Sequence, residues 1–243
     1  MKKFQMTILS VLLSMNTWAA EGHDWGYQNE NAPDQWATLN QNYHACLGHN
    51  QSPINIEKTV SGNLENIKFN YKNLSIKNIQ NLPHTIQINF NSGASIGIDD
   101  EVFELKQIHF HSPSENTVGG QHSPLEAHFV HANTNNELAV LAVLYNEGAS
   151  NRAIQQLIKN TPPQGGTNEL KKSIELSELL PKEKAYYRFN GSLTTPPCTE
   201  GVRWLVLKES VMLSGSELQA IQQKMVFPNN RPVQKKNARI VVE

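Results

Sequence analysis

The sequence predicts a mainly β protein of the α+β class, a single domain with a few peripheral helices. Most of the chain consists of short apolar runs separated by Asn, Gly, Pro and Ser, which is the pattern of strands joined by turns. Hydrophobic side chains make up 38% of the 243 residues, enough for one sizeable core. No Pro-, Gly- or Ser-rich linker divides the chain, so we expect one domain.

Seven runs have the length and composition of strands. The run from Leu138 to Leu144 is apolar at every position, so we expect this strand to be covered on both faces. The predicted strands are Leu74–Ile79, His84–Phe90, Leu105–His111, Leu125–His131, Leu138–Tyr145, Tyr186–Phe189 and Val202–Leu207.

Two segments have helical patterns. Ala153, Ile154, Leu157 and Ile158 recur at the spacing of one helix face. A second helix should begin near Ser214, because the sequence there resembles a capping box before a further apolar helical pattern.

The first 19 residues are predicted to be a secretory signal peptide, with residues 20–243 as the mature domain. Two lysines precede an apolar run from Met6 to Met15, and small side chains at Thr17 and Ala19 precede the expected cleavage site. The run is too short to cross a membrane, and the mature chain has no candidate span. We therefore expect a periplasmic protein, with full secretion left open.

The charge and cysteine content of the mature chain limit its partners and its compartment. Without its two leader lysines the chain has 19 basic and 22 acidic residues, a net charge of −3 that gives no attraction for nucleic acid. Cys46 and Cys198 both lie in the mature part. In an exported chain two cysteines favour one disulfide, and a pair of buried thiols is the alternative.

Three histidines on two predicted strands form a candidate metal site. Alternate side chains of a strand share a face, so His109 and His111 project together, and His128 can return beside them on the next strand. Three histidine ligands leave the fourth position of tetrahedral Zn²⁺ open, as in catalytic sites. Gln107 and Glu126, each two residues from a histidine, are expected to orient the imidazoles. Ordinary strand histidines are the alternative.

Five further segments extend this pattern along the chain. In this order, with the runs QIHFHS and LEAHFVH between them, the segments resemble the α-class carbonic anhydrases, in particular the exported bacterial members. The resemblance covers most of the mature chain. The five segments are Trp25-Gly26-Tyr27, Gln51-Ser52-Pro53-Ile54-Asn55, Ser112-Pro113-Ser114-Glu115, Gly191-Ser192-Leu193-Thr194-Thr195-Pro196-Pro197-Cys198 and Asn230-Arg231-Pro232.

The resemblance implies a large central, mostly antiparallel twisted sheet with Zn²⁺ at the bottom of a conical cleft. It also implies reversible hydration of CO₂ to bicarbonate and a proton, with His109, His111 and His128 as ligands. Zinc lowers the pKa of its bound water to about 7, a value that carbonic anhydrase itself exemplifies, and the resulting hydroxide attacks CO₂. CO₂, bicarbonate and water are then the expected substrates.

Three further residues match catalytic positions of this family. Thr194 would accept a hydrogen bond from the hydroxide and donate its own proton to Glu115, which aims the nucleophile's lone pairs at CO₂. A turn threonine and a surface acid are the alternative for this pair. His84 matches the proton shuttle, and an imidazole pKa of about 6.5 suits transfer in both directions. His84 and Gln87 are three residues apart, so on one strand both face the cleft only if the strand bends or bulges between them. An exposed histidine in a turn after Leu82-Pro83 is the alternative.

The resemblance also assigns the substrate pocket and the disulfide. Cys46 and Cys198 match a cysteine pair of exported bacterial members, which implies a bridge beside the Thr194 loop. Asn116 and Phe189 depart from vertebrate members, which commonly carry histidine and tyrosine there. The predicted pocket consists of the apolar residues Val130, Val140, Leu193, Val202 and Trp204, which could otherwise be ordinary core, and the polar residues Gln87 and Thr195.

The resemblance also implies inhibition by sulfonamides and small anions. The oligomeric state stays open between a monomer and a homodimer. The alternative function is a catalytically silent carbonic-anhydrase-like binding module. Such relatives typically lose a ligand histidine, whereas this chain keeps all three. Zinc storage would require a histidine-rich tract, which the sequence lacks.

Overall fold

An eleven-stranded, twisted, mostly antiparallel sheet forms the centre of the protein, as expected. The computed structural model describes residues 25–71, 74–170 and 174–243, and structural statements here concern those residues. The predicted leader, residues 1–19, lies outside them. Within the described ranges, no helix is long and apolar enough to cross a membrane.

The described residues contain fourteen strands and three α-helices, with three short 3₁₀ helices at Asn29–Asn31, Gln41–Leu47 and Leu176–Leu179. The helices are α1 (Trp36–Leu39), α2 (Arg152–Asn160) and α3 (Gly215–Gln222). The strands are β1 (Asn55–Ile56), β2 (Lys68–Asn70), β3 (Ile76–Asn81), β4 (Ile86–Phe90), β5 (Ser95–Ile98), β6 (Glu101–His111), β7 (Thr117–Val118), β8 (Gln121–His122), β9 (Leu125–Ala132), β10 (Leu138–Glu147), β11 (Thr167–Asn168), β12 (Tyr186–Ser192), β13 (Glu200–Leu207) and β14 (Val211–Leu213).

The main path of the sheet runs β11-β3-β4-β6-β9-β10-β13-β12. β14 pairs with β10, while β5 joins β6 and β2 pairs with β5. Only the pairings of β10 with β13 and with β14 are parallel among those described within this sheet. The seven predicted strands correspond to β3, β4, β6, β9, β10, β12 and β13.

Strand β4 differs from its prediction in a way that affects the site. It begins at Ile86 rather than His84, because the backbone N–H of Leu82 donates to the carbonyl of Thr85 over 2.8 Å and closes a turn. His84 therefore lies in a bend before the strand. The alternation rule does not apply between His84 and Gln87, and no bulge between them is required.

Both predicted helices are present and capped. Oδ1 of Asn151 accepts from the backbone N–H of Ile154 over 3.0 Å at the start of α2. Ser214 and Glu217 form the predicted capping box of α3. The two helices contact each other and are joined by Glu217, whose carboxylate accepts from the backbone N–H of Asn151.

Strand β10 shows how the core is divided by the sheet. Ala139, Leu141 and Val143 pack into the larger core cluster on one face. Val140 and Ala142 point the other way, into a second cluster, as predicted for a strand covered on both sides. We call this second group the histidine-face cluster: Ile54, Ile56, Val140, Ala142, Leu144, Phe189, Val202, Trp204, Val206 and Val241.

His131 lies on the face opposite His128 and is fully buried. Its Nε2 lies 2.8 Å from the hydroxyl of Tyr71, and the two rings stack with centroids 6.2 Å apart. Burial lowers the pKa of His131 to about 3, so the imidazole is neutral at physiological pH.

This buried histidine predicts an acid-sensitive stability. The unfolded chain binds a proton at His131 with a pKa of about 6.5, whereas the folded protein does so only near 3. Its contribution to the unfolding free energy is therefore complete above pH 6.5 and declines as the pH falls toward 3, by up to about 4 kcal/mol. Urea unfolding at several pH values between 4 and 8 gives the unfolding free energy as a function of pH. This free energy should fall less steeply toward acid pH in His131→Gln than in the parent. The control is His44→Gln, at an exposed histidine, and a slope unchanged in both variants would contradict the assignment.

Candidate metal centre and active site

The three histidines converge because two antiparallel strands pair in one register. His109 of β6 lies directly opposite His128 of β9, and His111 shares the face of His109. Ile108 and Phe110 point into the larger core cluster behind them, as predicted. One nitrogen from each imidazole can be chosen so that all three lie within 4.8 Å of one another.

Each imidazole has one nitrogen hydrogen-bonded to an oxygen acceptor. Nδ1 of His109 donates to Oε1 of Gln107 over 2.8 Å, and Nε2 of His128 donates to Oε1 of Glu126 over 3.0 Å. Nδ1 of His111 donates to the backbone carbonyl of Asn229 over 2.8 Å. These contacts orient the rings. They leave Nε2 of His109, Nδ1 of His128 and Nε2 of His111 for a shared ligand.

The electrostatics of the rings fit a metal cation. Burial lowers the pKa of His109 and His128 well below the usual value, and their neighbouring imidazoles add to the effect. Burial likewise lowers the pKa of His111, although the Asn229 carbonyl opposes it. Nε2 of His111 is buried and has no hydrogen-bond partner in the described part of the chain. Neutral nitrogens with free lone pairs are the ligands that Zn²⁺ accepts, so the residues fit this ion.

Glu126 is itself held in place by a compact set of donors. Its Oε2 accepts the backbone N–H groups of Glu115 and Asn116 over 2.7 and 2.9 Å. Its Oε1 accepts the Asn116 side-chain amide over 2.7 Å, beside the bond from His128. Asn116 therefore supplies two of the contacts that hold Glu126, the hydrogen-bond partner of His128.

Glu115 lies fully buried between the histidines and a C-terminal segment. Its Oε1 accepts the backbone N–H of Arg231 over 2.9 Å, and its Oε2 lies 3.5 Å from Nε2 of His111. Burial raises the pKa of Glu115 well above its usual value, while the Arg231 N–H and the side chain of Thr194 act in the opposite direction. Thr194 is buried as well, so both predicted residues lie in the interior rather than at a surface turn.

The segment that carries Thr194 is closed by short-range and long-range contacts. The backbone N–H of Leu193 donates to the carbonyl of Thr199 over 2.9 Å, and that of Cys198 donates to Thr195 over 2.8 Å. Cys198 is joined to Cys46 by a disulfide with a Cα–Cα distance of 4.9 Å, which confirms the predicted bridge. The bridge connects this loop to the 3₁₀ helix at Gln41–Leu47.

The predicted apolar pocket residues belong to one packed group. Val140, Val202 and Trp204 are members of the histidine-face cluster, and Val130 and Leu193 pack against it while remaining partly exposed. The Trp204 ring meets the His128 ring edge-on at 4.9 Å between centroids. The apolar wall therefore directly adjoins the histidines.

Of the two predicted polar pocket residues, one lies on a sheet strand and the other in a loop. Gln87 pairs with His109 across β4 and β6, so it shares the histidine face, and its amide donates to Oδ1 of Asn89 over 2.7 Å. Thr195 is half-buried in the loop after Thr194.

His84 lies in the bend before β4, with its ring packed against aromatic side chains. The ring centroid lies 4.3 Å from that of Trp25, at a tilt of 33°, and 5.8 Å from that of Tyr27. The resemblance had brought Trp25 and Tyr27 into the motif without assigning them a role. Their contacts show that they hold the imidazole at this position.

Two residues of the site were missed as individual participants. Asn229 supplies the carbonyl that binds His111, although only the segment following it was recognised. Arg231, 2% exposed, donates its guanidinium to the side chain of Gln51 and to the carbonyls of Ser52 and Cys46. The signal available in the sequence was the Asn230-Arg231-Pro232 motif, but the partners of these residues lie more than a hundred positions away.

The three oriented, neutral imidazoles converge without a fourth ligand from the described residues, which is the donor set typical of a catalytic rather than a structural metal centre. The family model for eukaryotic-type carbonic anhydrases matches residues 31–243. A carbonic anhydrase of Neisseria gonorrhoeae is 43% identical over 239 residues, covering 96% of this chain and 94% of that protein. One of Klebsiella pneumoniae is 42% identical, covering 95% of each.

Structural similarity agrees with these matches. The α-carbonic anhydrase of Thermovibrio ammonificans, solved with the inhibitor sulfanilamide, superposes with a TM-score of 0.89 at 41% identity, covering 92% of this chain and all of that one. The chain belongs to the α-class carbonic anhydrase family. Its homologues and fold support carbonic anhydrase activity, the conversion of CO₂ and water.

Proposed function

We propose that the protein is a Zn²⁺-dependent carbonic anhydrase in which His109, His111 and His128 hold the metal. The observation that carries this proposal is the orientation of the three rings. Each has one nitrogen committed to an oxygen acceptor, and the remaining three nitrogens lie within 4.8 Å of one another. Bound zinc would supply a water acidic enough to provide hydroxide near neutral pH, the nucleophile for CO₂.

Thr194 and Glu115 would direct the nucleophile. Because a threonine hydroxyl has one proton, donation of that proton to Glu115 leaves the Thr194 oxygen as an acceptor toward the histidines. Glu115 can hold this role because the Arg231 N–H occupies its other oxygen at 2.9 Å. Both side chains are buried, so the hydrogen bond would form with little competition from water.

The apolar wall beside the histidines would bind CO₂. The substrate is small and apolar, and Val130, Val140, Leu193, Val202 and Trp204 offer an apolar wall beside the ligands. The Trp204 contact with His128 supports this position for the pocket. Gln87 and Thr195 would supply polar contacts at its margin.

The test of this proposal is a stopped-flow CO₂ hydration assay on the mature protein, before and after zinc removal by a chelator. Hydration should fall to the uncatalysed rate in the apo protein and return when one equivalent of Zn²⁺ is added. A zinc-loaded protein without hydration would favour the silent binding module instead. Full activity in metal-free protein would exclude the zinc mechanism.

We also propose that His84 carries the proton from the centre to buffer. His84→Ala should lower turnover in dilute buffer by about tenfold or more, since general acid–base groups contribute at least this much. Added imidazole should restore part of the loss, because it replaces the missing proton carrier. Normal turnover of the variant in dilute buffer would show that another group carries the proton.

The relative solved with sulfanilamide supports a proposal about inhibition. A sulfonamide nitrogen could replace the nucleophile at the metal, with its aryl group on the apolar wall. We expect sulfanilamide and small anions to inhibit hydration, measured by titration in the same assay.

We propose further that residues 1–19 direct export to the periplasm and are removed, leaving residues 20–243. The N-terminal pattern and the Cys46–Cys198 disulfide support this compartment, since disulfides persist in oxidising environments. Intact mass spectrometry of the periplasmic fraction should give the mass of the shortened, oxidised chain. Recovery of the full-length chain from the cytoplasm alone would contradict it.

A further inference from the structure

Asn229 is fully buried and makes contacts with two separate parts of the site. Its side-chain amide donates to the carbonyl of His84 over 2.8 Å and to the carbonyl of Phe110 over 2.9 Å. Its Oδ1 accepts the backbone N–H of Ser112 over 2.7 Å. Its own carbonyl accepts Nδ1 of His111 over 2.8 Å.

These contacts use both N–H donors of the amide, together with its oxygen. The Asn229 backbone N–H also donates to the Ser112 carbonyl over 3.2 Å, so the residue is fixed to the end of β6 from both sides. The bond to the His84 carbonyl then extends this fixed point to the bend before β4. One side chain therefore joins the segment of a metal-ligand candidate to the segment of the shuttle candidate.

Thr85 provides a second connection between the same segments. Its hydroxyl donates to the Phe110 carbonyl over 2.7 Å, and the Phe110 backbone N–H donates back to that hydroxyl over 3.1 Å. Thr85 holds the bend one residue after His84, whereas Asn229 holds the carbonyl of His84 itself. The two connections are complementary, so loss of the Asn229 bond should displace the His84 peptide without unfolding the bend.

We infer that Asn229 is a positioning residue for proton transfer, whose side-chain amide sets the distance between His84 and the metal centre. This inference rests on the proposed shuttle role of His84. In the proposed reaction the proton leaves the centre for the buffer only after the attack on CO₂. A displaced shuttle therefore slows turnover but does not slow the capture of CO₂. Misplacement by about 1 Å can lower a rate by about 100-fold. Because Thr85 retains part of the geometry, we expect a reduction of about tenfold here.

The near-isosteric variant Asn229→Asp removes the two N–H donors and keeps the oxygen that accepts from Ser112. In zinc-loaded protein we expect kcat in dilute buffer to fall about tenfold and kcat/KM for CO₂ by less than twofold. Added imidazole should raise kcat toward the parent value. Zinc content should stay at one equivalent, because the backbone carbonyl that binds His111 is unchanged.

Asn229→Ser and Asn229→Ala test the same contacts without a buried carboxylate and should show the same split between kcat and kcat/KM. In a His84→Ala background, Asn229→Ser should cause no additional loss of kcat, because its effect acts through His84. The matched control is Asn151→Ala, at another buried asparagine, which accepts from the N–H of Ile154 and donates to the carbonyl of Glu178. It should lower the melting temperature and leave kcat and kcat/KM unchanged.

Three results would overturn the inference: a parallel fall of kcat and kcat/KM, a loss of kcat that imidazole does not relieve, or unchanged kcat in all folded Asn229 variants. Failure of every Asn229 variant to fold with zinc would assign the residue to folding alone and would also overturn it. If His84→Ala keeps normal turnover, the shuttle proposal itself fails. If His84→Ala behaves as a shuttle variant and Asn229→Ser does not, only the role of Asn229 is lost.

Discussion

His109→Ala is expected to remove tightly bound zinc and to reduce CO₂ hydration to the uncatalysed rate. Two nitrogens cannot complete a tetrahedral site with one open position, so metal affinity should collapse. Zinc lowers the pKa of its bound water to about 7 in carbonic anhydrase itself, far below that of bulk water, and this effect would be lost with the metal. Metal analysis after dialysis and stopped-flow hydration measure the two effects.

The fold should survive this substitution, because His109 is only half-buried and its strand keeps the backbone pairing with β9. His44→Ala is the matched control, since His44 is an exposed histidine in the 3₁₀ helix at Gln41–Leu47. It should retain one equivalent of zinc and the parental rate. If His109→Ala hydrated CO₂ at the parental rate with its zinc content unchanged, the ligand assignment would be refuted.

Loss of the disulfide is expected to lower the free energy of unfolding by about 5 kcal/mol, the largest change in stability that we predict. The bridge joins residues 152 positions apart, and in the chain-entropy model closing so long a loop in the unfolded chain removes this much entropy. The double variant Cys46→Ser, Cys198→Ser should therefore unfold at a much lower urea concentration. Activity should fall as well, because Cys198 closes the loop that carries Thr194.

Urea titrations of the oxidised and reduced parent protein measure the same quantity without substitution. Reducing agent should destabilise the parent and leave the double serine variant unaffected, which separates the disulfide from other effects of the reductant. Equal unfolding free energies for the oxidised and reduced parent would contradict the predicted stabilisation. Zinc must be present in equal excess throughout, since a bound ligand adds to apparent stability.

The elements that could be predicted from the sequence are those with a strong local pattern. The continuous apolar run of β10 required two covered faces, and the structure confirms that its alternate residues enter different clusters. The capping box at Ser214 likewise located the start of α3. The shorter strands β1, β7, β8 and β11 have two residues each, too few for a recognisable period, so they were missed.

In the candidate site, too, the features with a local sequence pattern were predicted and the others were not. The spacing of His109 and His111 placed both on one face, and Gln107 and Glu126 lie within hydrogen-bonding distance of their histidines. For His84 the sequence left a strand and a turn after Leu82-Pro83 open, and the hydrogen bond between Leu82 and Thr85 places it in the turn. The catalytic roles of Thr194, Glu115 and His84 stay predictions until kinetic measurements are made.

By itself the sequence determined the sheet-rich fold, the shared face of His109 and His111, and the family to which the chain belongs. These follow from periodicities of two residues and from ordered motifs, both of which are local properties of the chain. Only the tertiary structure decided that Asn229 connects His111 to the His84 bend and that Arg231 holds Glu115. Hydrogen bonds between segments more than a hundred residues apart depend on how the strands and loops pack, and no local pattern specifies that.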